Sequence, residues 1–110
     1  MSVAEIEHLV LFRFKEETTH AMRMAMFDGL RALKQSIPEI VELDVGDNLT
    51  DRGKGWTCGL RVRLRVTPAT RGEGALAALE AYQTHPDHQR VLQTLIKPIV
   101  ADVVAIDFTP

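Results

Sequence analysis

The segment 56–66 alternates almost without a break, and this pattern constrains the fold more than any other feature of the chain. Successive side chains of a strand point to opposite faces. Cys58, Leu60, Val62, Leu64 and Val66 therefore share one side, and Arg61, Arg63 and Arg65 share the other. A sheet built around this strand needs an apolar cover on one face only. Its cover and its neighbours can be read from the rest of the chain. His8-Leu-Val-Leu-Phe-Arg-Phe14 is rich in β-branched and aromatic residues and predicts a strand. Thr18 or Thr19 caps a following helix whose Met22, Met26, Leu30, Leu33 and Ile37 recur at helical spacing, until Pro38 ends it. Gly29 inside that helix predicts a close approach of helix to sheet. Ile40–Val45 is a short strand, and the polar, glycine-containing stretch 46–55 is the one long loop. Ala75–Gln83 is helical. At Thr84-His-Pro-Asp-His88 the chain restarts a second helical piece, with Pro86 suited to its first turn, and this piece runs on to Pro98. Val103–Phe108 is the last strand.

The order β-α-β-β-α(α)-β predicts an α+β, ferredoxin-like protomer: a four-stranded antiparallel sheet with its helices on one face. At 110 residues the chain makes a single domain, taken as residues 1–110. A net charge of -2 supplies no basic field for nucleic acid. No apolar stretch approaches the roughly 20 residues of a membrane span. The start, Met1 to His8, carries acids where a secretory signal would carry a basic flank, and the single cysteine, Cys58, excludes an intramolecular disulfide. The expectation is a soluble, cytoplasmic domain.

With helices on one face, the chemistry of the other face matters. Strand one splits into His8, Val10, Phe12 and Phe14 against Leu9, Leu11 and Arg13. The second strand splits into Val41, Leu43 and Val45 against Glu42 and Asp44. For the last strand, the more apolar set of Val104, Ile106 and Phe108 is assigned to the helices, leaving Val103, Ala105 and Asp107 on the open face. Two readings of that open face stand side by side. In one it is solvated and laced with cross-strand ion pairs. In the other it pairs with a second copy, forming a homodimer with Leu9, Leu11 and Val103 central and the arginines matched to acids such as Glu42 and Asp44.

Three ionisable residues fall on apolar faces. His8 is in step with Val10 and Phe12. His88 precedes Val91, Leu92 and Leu95 at helical spacing, and Tyr82 follows Leu79 by three. Each alone is readily a core residue with one satisfied hydrogen bond. Together they can hold a proton donor and a proton acceptor in one apolar pocket lined by Val10, Phe12, Phe27, Cys58 and Leu92. Four histidines without carboxylates at ligand spacing make no zinc site.

Glu7-His-Leu-Val-Leu-Phe-Arg-Phe14, Gly29-Leu-Arg-Ala-Leu-Lys with Ile37-Pro38, Gly53-Lys-Gly-Trp-Thr57, Ala81-Tyr-Gln-Thr-His-Pro-Asp-His88 and Val104-Ala-Ile-Asp-Phe108 resemble the stress-responsive dimeric α/β-barrel family. The resemblance implies a ferredoxin-like protomer whose sheet pairs with that of a second copy. Members include stress-related oligomers without known activity and a plant polyketide cyclase resembling olivetolic acid cyclase. The cyclase pattern implies catalytic roles for His8, Tyr82 and His88. Its further histidine falls on Cys58, a departure from the pattern. The implied chemistry is an aldol-type closure or an isomerisation of a small carbonyl compound, which needs no redox cofactor. The resemblance also implies a structural magnesium on the main-chain carbonyls of Lys34, Ile37 and Ile40. The other class it leaves open is a non-catalytic, stress-related homo-oligomer with a vestigial pocket.

Overall fold

A computed structural model describes residues 4–110, so Met1–Val3 lie outside the described residues. The elements are β1 (Glu5–Phe14), α1 (His20–Ser36), β2 (Ile40–Asp47), β3 (Cys58–Arg65), α2 (Ala75–Thr84), α3 (Pro86–Val91) and β4 (Val100–Phe108). A single turn of π-helix over Leu92–Ile96 extends α3. The strands form one antiparallel sheet in the order β2-β3-β1-β4. This is the ferredoxin-like arrangement, with the helices on one face.

Local chemistry sets the boundaries. Thr19 caps α1, its hydroxyl accepting the Met22 amide at 3.1 Å. At the far end Pro38 forces Ile37 into extended backbone. Met26, Leu30, Leu33 and Ile37 are buried as their spacing predicts, whereas Met22, in the first turn, is exposed. Gly29 marks a close approach, but to the α3 segment rather than to the sheet: a Cβ there would lie 2.5 Å from Leu95 Cδ1. The long loop is tied down. The Asn48 side-chain amide donates to the carbonyls of Thr50 and Trp56, and the turn closes through Lys54 and Gly55 with positive φ.

The core lies between sheet and helices. It contains Val10 and Phe12 of β1, Leu60, Val62 and Leu64 of β3, the buried face of α1, and Tyr82 and Val91. On the open face Arg61 pairs with Glu42 at 2.5 Å, Arg63 with Glu7 at 2.5 Å and Arg65 with Glu5 at 2.6 Å. The three arginines are thus matched within the protomer, by acids of β1 as well as β2. No helix among the described residues is long and apolar enough to cross a membrane.

The faces of β4 are the reverse of the sequence expectation. Residues directly opposite one another in a sheet share a face. The register pairs His8 with Asp107, Val10 with Ala105 and Phe12 with Val103, so these β4 residues lie on the helix side. Leu9 pairs with Ile106, Leu11 with Val104 and Glu7 with Phe108, so those three apolar side chains lie on the open face. Val103 therefore does not belong to the open face, and Val104, Ile106 and Phe108 do. The physical reason is that β4 is an edge strand that no helix covers well. It is exposed along almost its whole length, so burial does not impose alternation on its sequence.

Candidate functional site

Three elements bring the ionisable residues together. β1 carries His8 on the helix side, buried at 7% exposure. The last turn of α2 carries Tyr82, which has no exposed surface. The chain then bends at His85, whose imidazole Nδ1 accepts the Asp87 amide at 3.1 Å and so caps α3, with Pro86 in the first turn. This bend turns His88 back onto Tyr82. Their ring centres lie 4.4 Å apart, and the rings of Tyr82 and His8 lie 5.7 Å apart. His8, Tyr82 and His88 thus form a continuous line of rings under the helices.

Two polar atoms in this line are buried without a partner among the described residues: Tyr82 Oη and His88 Nδ1. Buried polar groups are almost always hydrogen-bonded, so these two atoms, on contacting side chains, have hydrogen-bonding capacity left over for a water molecule or another polar group. Burial holds the Tyr82 hydroxyl far above the ordinary phenol range, so it stays a proton donor. Burial also lowers the pKa of His88. The Gln83 main-chain carbonyl opposes this shift, and the neighbouring His8 and His85 add to it. His88 is accordingly a neutral imidazole at pH 7, able to accept a proton.

His8 has a partner that the sequence expectation does not supply. Its Nδ1 lies 2.5 Å from Asp107 Oδ1, the carboxylate directly opposite on β4. The expected faces of β4 put Asp107 on the open side, away from His8, and the register reverses this. The available signal is the need of a buried histidine for a partner, which the observed register meets by setting Asp107 beside His8.

The wall residues divide. Val10, Phe27 and Cys58 are packed into the core. Cys58 stands opposite Phe12, four positions along β1 from His8, or about 13 Å at strand rise. It is therefore remote from the ring line, and burial, with Asp47 adding, pushes its thiol up to about 12. Phe12 and Leu92 line an open cleft of about 310 Å³ between the α3 segment and β4, with Ile96, Val100 and Val103 completing its apolar wall. His8, Tyr82 and His88 do not line this cleft, so the structure separates Phe12 and Leu92 from the ring line.

At the end of α1 the Ile37 carbonyl already accepts the Ile40 amide at 3.1 Å. No cluster of three or more His, Cys, Asp or Glu side chains able to hold a metal ion exists among the described residues. The fit of Lys34, Ile37 and Ile40 to a magnesium ion thus rests on helix-end carbonyls alone, one of which is engaged.

Comparison with known proteins completes the picture. The chain is 26% identical over 104 residues to a stress-response A/B barrel domain-containing protein of Arabidopsis thaliana, covering 94% of this chain and 36% of that protein. It thus spans about a third of that relative's length. Among solved structures, a dimeric ferredoxin-like protein of unknown function from Thermobifida fusca is 26% identical, with a TM-score of 0.81 over 100% of this chain and 94% of that one. A hydroxynitrile lyase from Passiflora edulis shares the fold at 16% identity, with a TM-score of 0.81 over 99% of this chain and 95% of that one. The family model of the stress responsive A/B barrel domain matches residues 6–110, and the chain belongs to that family.

Proposed function

We propose that the protein binds a small carbonyl compound at the His8–Tyr82–His88 line and acts on it by cofactor-free acid–base chemistry. The observation that carries this reading is the pair of orphaned buried atoms, Tyr82 Oη and His88 Nδ1, on contacting rings. One is a permanent donor, and the other is held neutral as an acceptor. His88 removes a proton from the carbon next to the carbonyl. Tyr82 donates a hydrogen bond to the carbonyl oxygen as negative charge develops there. The resulting enolate attacks a second carbonyl of the same molecule, as in a polyketide-cyclase-like aldol closure, or is reprotonated at a neighbouring carbon in an isomerisation. His8, fixed by Asp107, orients the phenol or the substrate. A lyase activity in a protein of the same fold is compatible with this reading.

The protein also pairs with a second copy through its open sheet face, where Leu11, Val104, Ile106 and Phe108 are exposed apolar side chains that no helix covers. The Thermobifida fusca relative is dimeric, which supports pairing as such. A second reading, a stress-related homo-oligomer with a vestigial pocket, is favoured by one observation: Tyr82 has no exposed surface, so the ring line is closed as it stands. A magnesium on the Lys34, Ile37 and Ile40 carbonyls would serve the fold only and has no part in the chemistry.

A thermal-shift screen separates the two. Small β-dicarbonyl compounds, aromatic ketones and aldehydes are added to the wild-type protein and to His88→Ala. Binding at the line raises the wild-type melting temperature and leaves the variant unmoved. Equal shifts in both, or none in either, would overturn the binding reading in favour of the vestigial pocket.

A further inference from the structure

Two acids are buried among the described residues, Glu7 at 5% exposure and Glu39 at 4%. Taking a carboxylate out of water is costly unless a cation or a full set of hydrogen bonds replaces the water. Glu7 meets that condition, with Arg63 at 2.5 Å and Arg61 at 3.5 Å. Glu39 does not. Its Oε2 accepts the Thr70 hydroxyl at 2.5 Å, and its Oε1 accepts no hydrogen bond from the described residues. No Lys, Arg or His nitrogen among them lies within 4.0 Å of this carboxylate. The residue is held in place at the turn from α1 to β2, where its main-chain carbonyl accepts the Arg65 amide at 2.9 Å. Its side chain lines a hollow of about 500 Å³ between that turn, the chain at 69–71 and the last two turns of α2. Arg71, Glu80 and Thr84 are exposed at the rim, and neither Arg71 nor Glu80 has an ion-pair partner among the described residues. None of the three rings of the His8–Tyr82–His88 line borders this hollow.

We infer that this hollow is a second binding site, for a small zwitterion that carries a primary ammonium group and a carboxylate, the amino-acid class of ligand. The ammonium group meets Glu39 Oε1 in the buried part of the hollow, and the carboxylate meets the Arg71 guanidinium at the rim, which can hold it with two parallel hydrogen bonds. The charges select this class. Two carboxylates, Glu39 and Glu80, stand against one guanidinium, and the buried charge is the acidic one, so the missing partner is a cation. His85 also lines the hollow, but its Nδ1 is engaged by the Asp87 amide. A simple amine satisfies Glu39 and leaves Arg71 unused. A simple anion has only the exposed Arg71 to hold it, and an exposed pair is weak. A metal ion lacks ligands, because no cluster of three His, Cys, Asp or Glu side chains able to hold one exists among the described residues. The volume lies within the range of about 300–1,000 Å³ that small-molecule sites occupy.

Isothermal titration calorimetry on the whole chain tests this. The probes are the ω-amino acids from β-alanine to 6-aminohexanoate, which bracket the separation of the two charges, with pentylamine and pentanoate as controls that carry one charge each. At least one amino acid should bind, pentylamine should bind about tenfold more weakly, and pentanoate should give no signal. Glu39→Gln keeps the shape of the side chain and an acceptor for Thr70. It should weaken amino-acid binding by about tenfold or more, and it should raise the melting temperature of the ligand-free protein, because an unpaired buried charge is gone. Should Glu39→Gln fail to fold, Arg71→Gln, at an exposed position, carries the test: the amino acid should then bind no more tightly than pentylamine. The inference is overturned if no amino acid binds at millimolar concentration, if pentanoate binds as tightly as the amino acids, or if Glu39→Gln leaves binding unmoved. A ligand-free Arg71→Gln protein that melts well below the wild type also overturns it, since Arg71 would then be the partner of Glu39 in the resting protein.

Discussion

Replacing Tyr82 by phenylalanine should stabilise the ligand-free protein. The side chain has no exposed surface, and its hydroxyl has no partner among the described residues. A buried, unpaired polar group costs about 1–3 kcal/mol in desolvation, whereas the ring that Tyr82→Phe retains keeps its packing against His8 and His88. Removing the oxygen therefore returns about 1–3 kcal/mol. For a domain of this size each kcal/mol moves the melting temperature by about 4 °C, so a rise of about 4–12 °C is expected. Urea denaturation at one fixed protein concentration measures the free energy, because pairing makes apparent stability concentration-dependent. The same variant should lose turnover, or about 0.5–1.5 kcal/mol of ligand affinity where binding alone is read. A gain in stability with a loss of function marks a residue kept for its ligand. A Tyr82→Phe protein less stable than wild type by about 1 kcal/mol or more would refute the reasoning, since the hydroxyl would then be satisfied in the resting protein.

Because the folded state holds the His88 pKa below its unfolded value of 6.5, the unfolded chain takes up this proton first as the pH falls. The stability linked to His88 is then complete above about pH 6.5 and is lost on acidification below it. Denaturation across pH 7.5 to 5 should show this decline, and His88→Gln should flatten it relative to wild type. Asp107→Asn weakens the contact with His8 and should cost about 1 kcal/mol, a modest figure because the carboxylate is 29% exposed, measured by urea denaturation. An unchanged midpoint would show that His8 holds its place without Asp107. Cys58, buried with its thiol pushed up to about 12, should resist a thiol reagent such as dithionitrobenzoate at pH 8 in the native protein and react at once in denaturant. Rapid native labelling would contradict its place in the core.

What can be read from the sequence follows where burial imposes a period. β3 alternates because its two faces differ in kind, apolar under the helices and ion-paired outside, and its faces are as the spacing predicts. The buried stripe of α1 and the line from Tyr82 to His88 are legible for the same reason: one side of each helix meets the core. β4 is the opposite case. Val-Val-Ala-Ile is a continuous apolar run on an exposed edge, and choosing its more apolar half for the core inverts it. That single choice hides Asp107 and places Val103 on the wrong face. Gly29 can be read as a close approach, but not to which neighbour, because sequence spacing does not show how the α3 segment crosses α1.

The position of β1 between β3 and β4 gives the chain an order of completion during synthesis. Once residue 65 has emerged, β1 can pair along one edge with β3, but its other edge waits for β4, the last of the four strands to be made. Non-local pairing of this kind is slow and comes late. Until it forms, His8 has no Asp107 and the cleft has no Val103 wall. The last of the four strands to be made therefore supplies both the carboxylate beside His8 and the Val103 wall of the cleft.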